Sequence, residues 1–117
     1  MTFKNLRLML KAITDETRFR IIHLLSNGEF TVKEIGLILD LKQPTVSRHL
    51  GRLRLLKIVN DRRKGNLVFY SLILNTEEGQ LIEFLISKFK DIEIFSKDKE
   101  ELGKRRLGDT IGASPVN

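Results

Sequence analysis

Residues 31–56 read TVKEIGLILDLKQPTVSRHLGRLRLL, and two helices separated by a three-residue break can be read from them directly. Thr31 and Glu34 stand at the Thr-x-x-Glu spacing of a capping box. In that arrangement two N–H groups at the helix start are satisfied reciprocally. Ile35, Ile38 and Leu39 then supply one apolar face. Asp40-Leu41-Lys42 interrupts the period, and a new helix is expected from about Gln43 to Leu56. Pro44 suits its first turn, where no N–H partner is lost. Val46, Leu50 and Leu53 fall at i, i+4 and i+7 and must face a core. That phase leaves Thr45, Ser47, Arg48, His49 and Arg52 toward solvent.

The flanking segments complete the pattern. Phe3, Leu6, Leu10 and Ile13 describe one face of a first helix. Asp15 is a good N-cap for a second, roughly Glu16 to Leu25, which Asn27-Gly28 ends. Beyond the quoted stretch, Ile58 to Arg62 reads as a strand, Lys64-Gly65-Asn66 as a turn, and Leu67 to Leu72 as a second strand. Together they make a β-hairpin with a basic tip. Asn75 or Thr76 caps a last long helix expected from Glu77 to Phe95. Its apolar stripe is too wide for one contact on a small domain. A second copy of the chain would cover one flank, Ile82, Leu85, Ile86 and Phe89, with Phe3, Leu6 and Leu10 extending the seam. After Ser96 the composition turns to Lys, Asp, Glu, Arg, Gly and Ser. The expected organisation is therefore one domain over residues 1–95 and a polar, disordered tail over 96–117. The fold class is mainly α with a small β-hairpin wing, α-α-α-α-β-β-α: a winged helix-turn-helix.

Charge and composition narrow what such a fold can do. The chain has 117 residues and a net charge of +6, from 21 basic and 15 acidic groups. Residues 42–64 hold Lys42, Arg48, Arg52, Arg54, Lys57, Arg62, Arg63 and Lys64 against Asp61 alone. A local block of that kind suits a polyanion, since each neutralised phosphate releases counterions. Thr45, Ser47, Arg48 and His49 offer donors and acceptors at the positions a groove would meet, and Arg52, Arg62, Arg63 and Lys64 suit phosphates. The absence of Cys rules out disulfides and thiolate ligands, and His23 and His49 are the only histidines. His23, between Ile22 and Leu24, is expected to pack in the structure. No nucleophile–base spacing or Gly-rich phosphate loop appears, so an enzyme is not expected. Nor is a membrane protein: no apolar run approaches the length of a span, and the cytoplasm is the expected compartment.

Three stretches resemble ArsR-type (ArsR/SmtB) winged-helix repressors, in order and at the right spacing. They are Leu10 to Arg18 with Ile21 to Leu25, Lys42 to Leu50, and Asp61 to Leu72. The resemblance covers roughly residues 6–90. It implies a homodimer, joined through its first and last helices, that represses transcription from a palindromic double-stranded DNA operator until an effector releases it. Carried over by position, the base-reading residues would be Gln43, Thr45, Ser47, Arg48 and His49, and the wing contacts Arg62, Arg63 and Lys64. Two positions depart from the family. Lys42 stands where a Ser N-cap is common, a loss of about 1 kcal/mol. Lys57 stands where Gly is common, at a similar cost of about 1 kcal/mol if the backbone is left-handed there.

Sensing is where the departure is largest. Many family members bind metal through Cys in a stretch aligned with Glu29 to Glu34, where this chain has Thr31 and Lys33. Others use Asp and His on the last helix, and here Asp91 and Glu93 have no His beside them. Neither a metal nor another cofactor is expected, and a small-molecule effector stays open and unidentified. Two other functions compete with a sequence-specific regulator: a winged-helix protein-interaction module, and an architectural DNA binder of low specificity. The first would place acidic or apolar groups on the outward helix face, and the second would favour Lys over Thr, Ser, Gln and His.

Overall fold

A computed structural model describes residues 1–111, with side chains to residue 106. Its elements are α1 (Phe3–Ile13), α2 (Glu16–Leu25), β1 (Phe30–Thr31), α3 (Val32–Leu39), α4 (Gln43–Leu55), β2 (Val59–Lys64), β3 (Leu67–Leu72), α5 (Glu77–Phe89), a 3-10 turn (Glu93–Phe95) and α6 (Ser96–Ile111). This is the expected winged helix-turn-helix, with a short strand and a further helix added.

The helix starts are fixed by local chemistry. Asp15 Oδ1 accepts from Arg18 N at 2.9 Å, and Thr76 Oγ1 accepts from Gly79 N at 2.9 Å. Both halves of the Thr31–Glu34 capping box form. Lys42 makes no side-chain cap, so α4 begins on Pro44 geometry alone. The turn between α3 and α4 is unusually tight. Asp40 adopts a left-handed backbone, φ 57°, and Leu41 N donates to Gly36 O at 2.9 Å. A Cβ on Gly36 would lie 2.8 Å from Leu41 O, closer than real side chains come. At the other end of α4, Lys57 is also left-handed, φ 60°, and Ile58 N donates back to Leu53 O. The wing therefore leaves the helix at a fixed angle.

The sheet order is β1-β3-β2, all antiparallel, with Val59 opposite Leu72, Lys64 opposite Leu67, and Phe30 opposite Tyr70. The two-residue β1 gives no periodicity to read. The core lies between α2, α3 and α4, where Ile21, Ile22, Ile35, Ile38, Val46, Leu50 and Leu53 are fully buried. Ile58 and Val59 close it beneath the wing. No helix among the described residues is long and apolar enough to cross a membrane.

The C-terminal region corrects two expectations. The helix expected to run to Phe95 stops at Phe89, and Ile92 is extended, φ −63° and ψ 143°. The residues expected as a polar tail then form α6, as far as they are described; 112–117 lie outside the described residues. The cause is a buried anchor. Phe95 is fully buried, its ring stacked on His23 at 3.9 Å and tilted against Phe19 at 5.2 Å. Asp98 accepts two hydrogen bonds from Arg20, at 2.9 and 2.8 Å, and Arg20 Nη2 also donates to Leu39 O at 2.6 Å. Leu102 is buried one turn further on, and Arg106 donates to Asn27 O at 2.9 Å. Ending the domain at residue 95 would thus leave out part of its packing.

His23 is packed, as its neighbours implied, and its buried Nδ1 has no hydrogen-bond partner among the described residues. Burial lowers its pKa below the ordinary 6.5, Lys99 adds to the effect, and Asp98 opposes it. The unfolded chain therefore takes up this proton before the folded one does. The contribution of neutral His23 to stability is present above its ordinary pKa of 6.5 and declines as the pH falls below it. The thermal midpoint is expected to fall between pH 7.5 and 5.5. His23→Phe, which keeps a ring against Phe95, should flatten that slope in a calorimetric pH series. An unchanged slope would show that His23 does not titrate in this range.

Candidate nucleic-acid interface

The exposed side of α4 is set by its buried one. With Val46, Leu50 and Leu53 inward, Gln43, Ser47, Arg48 and Arg52 are exposed and Thr45 is half-buried. Beside this face the wing carries Arg62, Arg63 and Lys64, all exposed on β2. Arg48, Arg52, Arg63 and Lys64 form no ion pair or hydrogen bond among the described residues. Four cations flanking a row of hydroxyl and amide groups can meet phosphates and base edges together.

Two of the residues read from the sequence are held elsewhere. His49 is half-buried, with Arg18 Nη1 3.3 Å from its Nδ1. A guanidinium only donates, so the ring accepts there and carries its proton on Nε2. Burial first, and then the nearby Arg18, Arg48 and Arg52, lower the His49 pKa; Asp15 opposes them. Arg18 is itself anchored, donating from Nε to Ala12 O at 2.8 Å. Arg62 donates to both carboxylate oxygens of Glu29, at 3.1 and 2.9 Å, and its guanidinium lies 5.1 Å from the Phe69 ring centroid. Arg54 pairs with Asp61 at 3.2 Å. The basic block counted along the chain therefore offers fewer free cations than its sum. Sequence reading missed Arg18 and Glu29 because they lie 31 and 33 residues from their partners.

Residues 15–61 match the model of the family described as bacterial regulatory protein, arsR family. The transcriptional repressor SdpR of Bacillus subtilis is 39% identical over 62 residues, covering 53% of this chain and 69% of that one. The transcriptional activator HlyU of Vibrio cholerae is 39% identical over 77 residues, covering 66% of this chain and 70% of that one. The chain belongs to the ArsR family. Solved reduced HlyU has a TM-score of 0.66 at 35% identity, over 74% of this chain and 90% of that one. A likeness of fold alone, TM-score 0.64 at 24% identity, links 79% of this chain to 83% of the winged helix-turn-helix domain Mb0332 of Mycobacterium bovis. ArsR-family proteins are DNA-binding transcriptional regulators, and this one is not an enzyme.

The ArsR-family apolar seam is distributed differently from the sequence reading. Ile82, expected on the dimer flank, is 1% exposed and faces its own core. Leu6, Leu85 and Ile86 are half-buried. Phe3 is 78% exposed, Leu10 40% and Phe89 49%, and Phe84, outside the expected seam, is 54% exposed. The α-amino group of Met1 donates to Glu77 Oε1 at 2.9 Å, bringing the starts of α1 and α5 together. Among the described residues, no group of three or more His, Asp or Glu side chains is placed to hold a metal ion.

Proposed function

We propose that the protein is a homodimeric repressor that binds a palindromic operator through α4 and the wing and is released by an effector other than a metal. The observation that carries this reading is the α4 face. Its core side is closed by Val46, Leu50 and Leu53, and its outward side presents Arg48 and Arg52, unpaired among the described residues, beside Gln43, Thr45 and Ser47. Neither competing function fits that face. It is neither acidic nor apolar, as a protein-docking surface would be, and its hydrogen-bonding groups exceed what a backbone-only binder uses. His49 contributes by fixing α4 against α2 through Arg18, leaving Nε2–H as its outward donor. Arg63 and Lys64 are the wing's phosphate contacts, and Arg62 joins them where a phosphate displaces Glu29. A regulator acting on DNA works in the cytoplasm, with the chromosome.

Binding to the protein's own upstream DNA, measured by fluorescence anisotropy against random competitor, tests the reading. Arg48→Ala should weaken operator binding by about 1–3 kcal/mol and leave random-sequence affinity nearly unchanged. Arg63→Ala should weaken both equally and make the slope of log affinity against log salt shallower by about 1. Equal losses on operator and random DNA for both variants would sink the division between base reading and phosphate contact.

A further inference from the structure

Between the wing and α6 lies a cavity of about 320 Å³, bordered on the wing side by Arg62 and Lys64. Cavities of this size lie within the range that holds small ligands. Its walls come from three parts of the fold. Phe30, Ile38, Phe69 and Leu102 supply apolar surface, and Arg62 and Lys64 of β2 and Arg105 and Arg106 of α6 supply positive charge.

The charges in the wall are unevenly matched. Both carboxylates that line the cavity are already engaged: Glu29 accepts from Arg62, and Glu34 accepts from Thr31 N in the capping box. Lys64 and Arg105 have no ion pair or hydrogen bond among the described residues, although Arg105 is half-buried. A partly desolvated guanidinium without a counter-charge is a costly arrangement, and an anion that reaches it removes the cost. The apolar surface beside it excludes a bare inorganic ion as the best occupant.

We propose that this cavity binds a small organic carboxylate with an apolar body, held by Arg105 and Lys64, and that its occupancy weakens DNA binding. The second half rests on the DNA-binding reading above. Lys64 belongs to both surfaces, so a ligand that draws it toward α6 removes it from the phosphate backbone. The Arg20–Asp98 pair fixes α6 to α2 and to the end of α3, so the α6 wall is tied to the helix-turn-helix.

The test uses 4-phenylbutyrate as the probe, with 4-phenylbutanol and acetate as controls, at fixed ionic strength. Amide NMR titration of the full chain without DNA reads binding alone. Saturable shifts at Phe30, Phe69 and Leu102 are expected with Kd below about 1 mM, with the alcohol and acetate about tenfold weaker or worse. Arg105→Gln, which keeps the length and polarity of the side chain and removes its charge, should weaken the carboxylate about tenfold and leave the alcohol unchanged. No saturable shift, equal binding of the alcohol, or no effect of Arg105→Gln would overturn the site. In anisotropy, the probe should lower operator affinity for the wild type and not for Arg105→Gln. Binding without any change in operator affinity would overturn the regulatory half. Loss of DNA affinity in Arg105→Gln without probe would make Arg105 a phosphate contact and overturn the pocket reading. A wild type that fails to bind its upstream DNA before any probe is added would instead overturn the DNA-binding reading, and the NMR arm would stand apart from it.

Discussion

Phe89→Asp is expected to convert the proposed dimer into a monomer and to lower operator affinity by about 10²–10⁴-fold, the gain that linking two binding modules usually provides. Phe89 and Phe84 are each about half exposed on α5, and Phe3 is largely exposed at the nearby start of α1. These phenyl groups do not form one patch, since Phe84 and Phe89 stand five residues apart on α5 and Phe89 lies at its far end from Phe3; a second copy packed along α5 would cover Phe89. The proposed palindromic operator requires a two-fold axis that sets two α4 helices about one DNA turn, roughly 34 Å, apart. Because Phe89 already contacts solvent, its replacement should leave the thermal midpoint of the isolated chain nearly unchanged. Ile82→Asp would not serve, since Ile82 lies in the chain's own core and the fold itself would suffer. Sedimentation at micromolar concentration, with Phe84→Asp as the second variant, separates the cases. A wild-type monomer that binds its operator as a single copy would refute the dimer.

Arg20→Ala is expected to cost about 3–5 kcal/mol of stability, read from the urea midpoint. Asp98 is only 3% exposed, and its two hydrogen bonds come from Arg20. Removing the guanidinium leaves a buried carboxylate without a partner, which is worse than having no pair at all. Asp98→Ala should cost less, because Arg20 is more exposed and keeps its bond to Leu39 O. Their double variant should lose clearly less than the sum of the two, since both single changes break one interaction. Small and additive losses would mean that water reaches the pair and that α6 is weakly docked.

The contrast between these regions explains what could be read from the chain. The helix-turn-helix was legible because its signals are local. Asp15 caps a helix three residues on, Thr31 and Glu34 cap each other, and Val46, Leu50 and Leu53 repeat along one face. The hairpin was legible from Gly65 and the β-branched runs around it. Lys57 was legible as a left-handed position occupied by a residue that dislikes it. The end of α5 was not legible. No Gly or Pro stands between Phe89 and Phe95, and the apolar spacing continues through Ile92. Nor was α6, whose anchor Asp98 finds Arg20 78 residues away. The α4 face and the wing were read correctly as exposed at Arg48, Arg52, Arg63 and Lys64. The engagement of His49 and Arg62 depends on tertiary partners that no spacing rule reaches.

Gly36 gives the fold an asymmetry in how it can change over generations. The atom facing its missing side chain is the carbonyl oxygen of Leu41, part of the main chain that every residue carries. A clash with a side chain can be relieved by shrinking the neighbour, but this one cannot, so no substitution elsewhere frees the position for a larger residue. Ser47, Arg48 and Arg52, about one to three turns into the next helix, face open solvent. Under the proposed function, inheritance can therefore rewrite the recognised DNA sequence one residue at a time, while the bend that aims α4 is confined to a one-letter alphabet.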